Sequence, residues 1–175
     1  MLLISIETIL PPQNKKVFLN YIFQKCDKAA FCFPIFGQRK CTAKLKPNKD
    51  YESYVSKNEH IIETVSPYII ERYLSKSYFG MKQSYVCDII AFRLSKEFKK
   101  ILYNASNLYD WCSPELPEDL CFFREGASKC WMQVIAHEKE AYIFEETKED
   151  EMMLNACGIR YVKLEDEIKT PRMKI

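Results

Sequence analysis

Apolar residues first recur at helical spacing at Val17, Phe18, Tyr21 and Ile22, a stripe that predicts a helix from Gln13 to about Ala30. The run FCFPIFG that follows is apolar, is broken by Pro34, and fits no element. Helical spacing returns at Tyr51, Tyr54, Val55, Asn58, Ile62 and Val65. Ser66-Pro67 then has the form of an N-cap with proline at the first helical position, which predicts a further helix ended by Gly80. Residues 1–80 thus read as a mainly helical half.

The pattern changes at residue 84. SYVCDIIAFRL is apolar on both parities except at Asp88 and Arg93, as expected of a central strand buried on both faces. Ser95 caps a helix whose stripe is Phe98, Ile101, Leu102, Ala105, Leu108 and Tyr109. After Pro114 and Pro117, three short strands are predicted at Leu120–Arg124, Lys129–Ala136 and Ala141–Glu145, joined as a meander with Gly126 in one turn and HEKE in the other. Thr147 with Asp150 resembles a capping box, Gly158 suits a helix C-terminus, and Ile159–Leu164 supplies a last strand. The expected fold is α+β: a largely antiparallel sheet over residues 84–164, helices packed on it, a mainly helical N-terminal half and a polar tail at 165–175, all in one domain.

Alternation also sorts side chains by face. If the HEKE hairpin pairs Ala136 with Ala141, one face carries Cys121, Phe123, Cys130, Met132, Val134, Ala136, Ala141 and Ile143 and takes the helices. The other carries Leu120, Phe122, Trp131, Gln133, Ile135, His137, Tyr142 and Phe144. That aromatic face, interrupted by Gln133 and His137, has two readings: a second core under the N-terminal helices, or a ligand- or partner-binding surface.

Composition narrows the chemistry. Only four glycines are present and no two lie close together, which argues against phosphate-binding glycine loops. Eight cysteines lack the short paired spacing of zinc sites, the nearest being Cys26 and Cys32, and only His60 and His137 could add imidazole, so neither a metal nor a cofactor is expected. The opening MLLISIETIL has no basic flank and is too short to cross a bilayer, so the expected setting is cytoplasmic, with reduced thiols. In SPELPEDL, Glu115, Glu118 and Asp119 could pair as acid and base, although two prolines suggest an exposed rigid connection. Charge is polarised: residues 1–110 hold 17 basic and 10 acidic side chains, residues 111–175 hold 9 and 14. The basic tract with Arg39, Lys40, Lys44, Lys46 and Lys49 is short, so nucleic-acid binding is expected to be weak at most.

LYDWCSPELPEDLCFFREG followed by SKCWMQVIAHEKEAYIFEE resembles a stretch in uncharacterised bacterial proteins, some labelled stage III sporulation protein AH, over roughly residues 85–164. The sporulation protein of that name is membrane-anchored, a feature without counterpart here, so the label does not transfer. The resemblance implies a bacterial origin and a small α+β domain, and it brings no catalytic residues. The expected function is non-catalytic binding of another protein or a small ligand, without a membrane, in an accessory or immunity-type role. The alternative is a small hydrolase or transferase using the acidic residues and His137.

Overall fold

Pairing of strands drawn from the whole chain organises the computed structural model, which describes residues 1–5, 11–41, 48–78, 81–105 and 107–164. The strands are β1 (Leu2–Ser5), β2 (Cys26–Ile35), β3 (Ile69–Tyr78), β4 (Met81–Arg93), β5 (Glu118–Arg124), β6 (Cys130–Ile135), β7 (Glu140–Ile143) and β8 (Tyr161–Lys163). They form one sheet in the order β3-β4-β2-β5-β6-β7-β1-β8, and every pairing is antiparallel. The helices are α1 (Pro12–Lys25), α2 (Lys49–Lys57), α3 (Glu59–Val65), α4 (Lys96–Asn104) and α5 (Lys148–Ala156).

The α+β class and the large antiparallel sheet agree with the sequence pattern; the mainly helical N-terminal half does not. The first helix stops at Lys25, and Cys26 at once takes extended angles and opens β2. FCFPIFG continues that strand through Ile35, with Phe31, Cys32 and Phe33 fully buried between β4 and β5. Pro34, which cannot donate to a ladder, lies beyond the last β2–β5 pair, Cys32 with Glu118, so β5 does not need its N–H. Ser66-Pro67 opens only a single 3-10 turn, and residues 69–78 form the edge strand β3. The helix-ending role read for Gly80 lies outside the described residues, as do Lys44, Lys46 and the 165–175 tail.

All five α-helices among the described residues pack on one face. Phe18, Leu19, Tyr21 and Ile22 of α1, Tyr51 and Tyr54 of α2, Ile61 and Val65 of α3, Phe98 and Leu102 of α4 and Leu154 of α5 join one core with Phe31, Phe33, Ile90, Phe92 and Phe122 of the sheet. Phe31 is its hub, with ring centroids 5.2 Å from Phe92, 5.8 Å from Phe33 and 6.0 Å from Trp111. The opposite face forms a second cluster of strand side chains, among them Ala30, Cys32, Cys87, Ile89, Cys121, Phe123 and Cys130. Tyr73 packs against it, and burial first, then Glu71, Cys121 and Cys32, push its hydroxyl up to about 12. None of the eight cysteines is joined in a disulfide.

Local signals hold where they were sharp. Ser95 accepts a hydrogen bond from the Phe98 amide and caps α4. Thr147 and Asp150 form the reciprocal capping box of α5, and Gly158 follows that helix with φ +68. Val86 through Phe92 of β4 are buried on both faces, and the strand is interior to the sheet.

The expected division of faces in the meander is corrected at Trp131. Phe123 pairs with Cys130, but Phe122 pairs with Met132, so Trp131 is an extra residue bulged out of register. Beyond the bulge the parity of β6 inverts. Met132, Val134, Ala141 and Ile143 join Phe122 and Trp131 under the helices, while Cys121, Phe123 and Cys130 share the opposite cluster with Phe144 and Tyr142.

Candidate functional site

The two groups of residues singled out from sequence meet different fates. The aromatic set is dispersed, and most of it is buried. Phe122 and Trp131 are 0% and 2% exposed in the helix-covered core, where Trp131 packs edge-on against Tyr21 at 6.1 Å. Gln133 pairs with Cys121 and Tyr142 on the other side of the sheet, and Phe144 is buried there too. These residues therefore form no single face, and His137 stands apart from them in the 3-10 turn (Ala136–Glu138) between β6 and β7, its side chain 42% exposed.

The acidic set is split, and part of it is brought together with His137. Glu115 is exposed and ion-paired with Lys57. Glu118 and Asp119 are not in an exposed connection, as the flanking prolines suggested, because β5 begins at Glu118 and both residues are buried, at 5% and 0%. One ligating atom from each of Glu118, Asp119 and His137 lies within 4.8 Å of the others.

The backbone explains how neighbouring carboxylates reach one place. In a regular strand, successive side chains point to opposite faces. Here Cys32 pairs with Glu118 and Ala30 with Cys121, so Asp119 and Leu120 stand against Phe31 alone, a bulge in which Asp119 takes φ 57. A left-handed non-glycine residue costs on the order of 1 kcal/mol. Asp119 thereby turns toward the end of β6, where its Oδ1 accepts from the Ala136 amide at 3.4 Å and lies 3.9 Å from Nδ1 of His137. The His137 Nε2 faces Oε1 of Glu138, also at 3.9 Å.

Electrostatically the site is acidic at Glu118 and Asp119. Among the described residues, none gives the Glu118 carboxylate a hydrogen bond or an ion pair. The groups that feel its charge are weak acids. Burial, then Glu118 and Asp119, push the Cys112 thiol up. Burial, then Glu118, raise the phenols of Tyr54 and Tyr85. Burial also pushes Cys32 and Cys121 well up. No thiol here is made more nucleophilic. Tyr85 packs edge-on against Phe36 at 4.9 Å, leaving Phe36 53% exposed beside this end of the sheet.

A cavity of ≈ 400 Å³ opens near the other end of β5, walled by Arg124, Gly126, Lys129, Trp131 and Glu145 among others. Its cations are already matched, Arg124 by Asp150 and Lys129 by Glu145.

The sequence groups Glu118, Asp119 and His137 only as the candidates of the hydrolase or transferase alternative, together with Glu115, and gives no geometry that brings them together. Strand β5 was expected to start at Leu120, which left the acids in a loop, and nothing in the composition marks the bulge at Asp119. The basic tract is partly described: Arg39, Lys40 and Lys49 are exposed.

A scan against known protein families, a search of curated proteins and a search of solved structures find no match. No helix among the described residues is long and apolar enough to cross a membrane.

Proposed function

We propose that the protein is a non-catalytic binding domain whose ligand group is Glu118, Asp119 and His137, and whose ligand carries positive charge. The observation that carries this reading is Glu118: a residue only 5% exposed, whose carboxylate takes no hydrogen bond or ion pair from any described residue and whose oxygens still touch solvent. Taking most of a charged side chain out of water without a partner costs free energy, and folds retain such a cost where function needs the group. The carboxylate also sits within reach of two further ligating side chains, so its free lone pairs face a shared space.

A hydrolase or transferase reading has one observation in its favour, the approach of Asp119 to the His137 ring, which is the pairing that orients a general base. Against it, every thiol and phenol shifted near the group is shifted toward its protonated form, the wrong direction for an activated nucleophile.

The test is the stability of Glu118→Gln, which keeps the shape and removes the charge. If the carboxylate is held for a ligand, the variant unfolds at higher denaturant in ligand-free buffer, by about 1 kcal/mol, the usual gain when a functional group is sacrificed. A variant destabilised by a similar amount would make Glu118 a structural residue and overturn the reading.

A further inference from the structure

We propose that Glu118, Asp119 and His137 together bind one divalent transition-metal ion of the zinc and manganese class. This rests on the reading of the group as a cation site and names the cation. Two observations point to it independently. The first is that three ligating atoms, two carboxylate oxygens and an imidazole nitrogen, converge within 4.8 Å. The second is that Glu118, 95% buried and aimed into that convergence, has no partner among the described residues.

The donor set chooses the metal. Imidazole suits zinc, copper, iron and nickel, carboxylates suit harder ions including manganese, and a mixed set without thiolate disfavours both copper(I) and the all-oxygen sites of calcium and magnesium. An ion about 2.1 Å from each ligand in tetrahedral array needs ligand atoms about 3.4 Å apart, so the group must close by roughly 1 Å. Sheet pairing fixes Glu118, whereas the half-exposed His137 lies in the β6–β7 connection and is free to supply that movement. Three protein ligands leave at least one position open to water or to a ligand atom. The outer surroundings fit as well. Ligating imidazoles commonly present their second nitrogen to a carboxylate, and here Glu138 faces Nε2 of His137 at 3.9 Å. The bulge at Asp119 gains a purpose, since without it adjacent residues of one strand could not share an ion.

Equilibrium dialysis of the tag-free, full chain against Zn2+, Mn2+ and Mg2+, with metal analysis, tests the proposal, and Co2+ absorption gives a spectroscopic readout of the ligand field. We expect one equivalent of Zn2+ or Mn2+ per chain, at least tenfold weaker binding to Glu118→Gln and to His137→Ala, and no displacement by an equal concentration of Mg2+. The His137 side chain is exposed enough that its removal spares the fold, which circular dichroism checks. No stoichiometric binding, or binding that both variants retain, overturns the metal. If Glu118→Gln is nonetheless stabilised without metal, the binding reading stands and the cation is organic, such as a lysine or arginine of a partner. If that variant is destabilised, both readings fall.

Discussion

Asp150 and Glu118 are buried carboxylates placed near opposite ends of β5, and the protein treats them in opposite ways. Asp150, 1% exposed, accepts from the Tyr21 hydroxyl at 2.8 Å, the Arg124 guanidinium at 2.5 Å, and the amide and hydroxyl of Thr147 at 2.7 and 2.9 Å. Burial alone would raise its pKa, but those bonds hold it below the ordinary carboxylate value. It ties α1, β5 and α5 together while capping one of them. Glu118 has no such partners. A third buried acid, Asp88, follows the Asp150 pattern, taking two bonds from Arg72 Nε, one from Arg72 Nη2 and one from Tyr51. Where this fold uses a buried carboxylate as a fastener it surrounds it with donors, and Glu118, which lacks them, is the carboxylate on which the binding proposal rests.

The largest effect should come from Asp150→Asn. Breaking a buried ion pair from one side typically costs 3–5 kcal/mol, so a loss of about 3 kcal/mol in urea unfolding is expected. Its pH dependence has a definite sign. A depressed folded pKa adds stability above the unfolded value of about 3.9, and that stability is lost as pH falls through the folded value. The variant should therefore show a flatter acid limb than wild type. An unchanged acid limb would remove Asp150 from the role of fastener and with it the contrast.

Tyr51→Phe deletes the 2.6 Å hydrogen bond to Asp88 and leaves the Arg72 pair. A hydrogen bond to a charged group is worth about 2 kcal/mol, and the unfolding midpoint should fall accordingly. An effect near zero would mean that buried carboxylates here do not need their donors, which weakens the inference drawn from Glu118.

Thr147→Ala is the smallest of the three. It removes the cap of α5 and one of the bonds to Asp150, for about 1 kcal/mol. Combined with Asp150→Asn the losses should be less than additive, because the two side chains serve one box. Full additivity in that double variant would show the box to be two separate contacts.

The contrast between these regions also marks what the sequence could say. The Asp150 box was legible because both partners lie within one turn and carry a short-range signature. The buried strand at residues 84–94 was legible because Val86 to Phe92 are apolar on both parities, interrupted only by Asp88. β2 was hidden: Cys26 follows α1 without a glycine or a loop, and Pro34 reads as a breaker until the third dimension shows that β5 does not pair there. β3 was hidden by a Ser-Pro pair that begins a single turn instead of a helix. The bulges at Trp131 and Asp119 carry no glycine, yet one inverts the faces of β6 and the other builds the site. Each residue of the site was visible; their meeting depends on the irregular strand pairing at Asp119, which local composition does not encode.

Crystals grown with Zn2+ or Mn2+ and measured at that metal's absorption edge test the central claim most directly. The account predicts one anomalous peak about 2.0–2.2 Å from a carboxylate oxygen of Glu118, one of Asp119 and a ring nitrogen of His137. Well-ordered Glu118, Asp119 and His137 with no peak between them, at metal concentrations that saturate binding in solution, would contradict it.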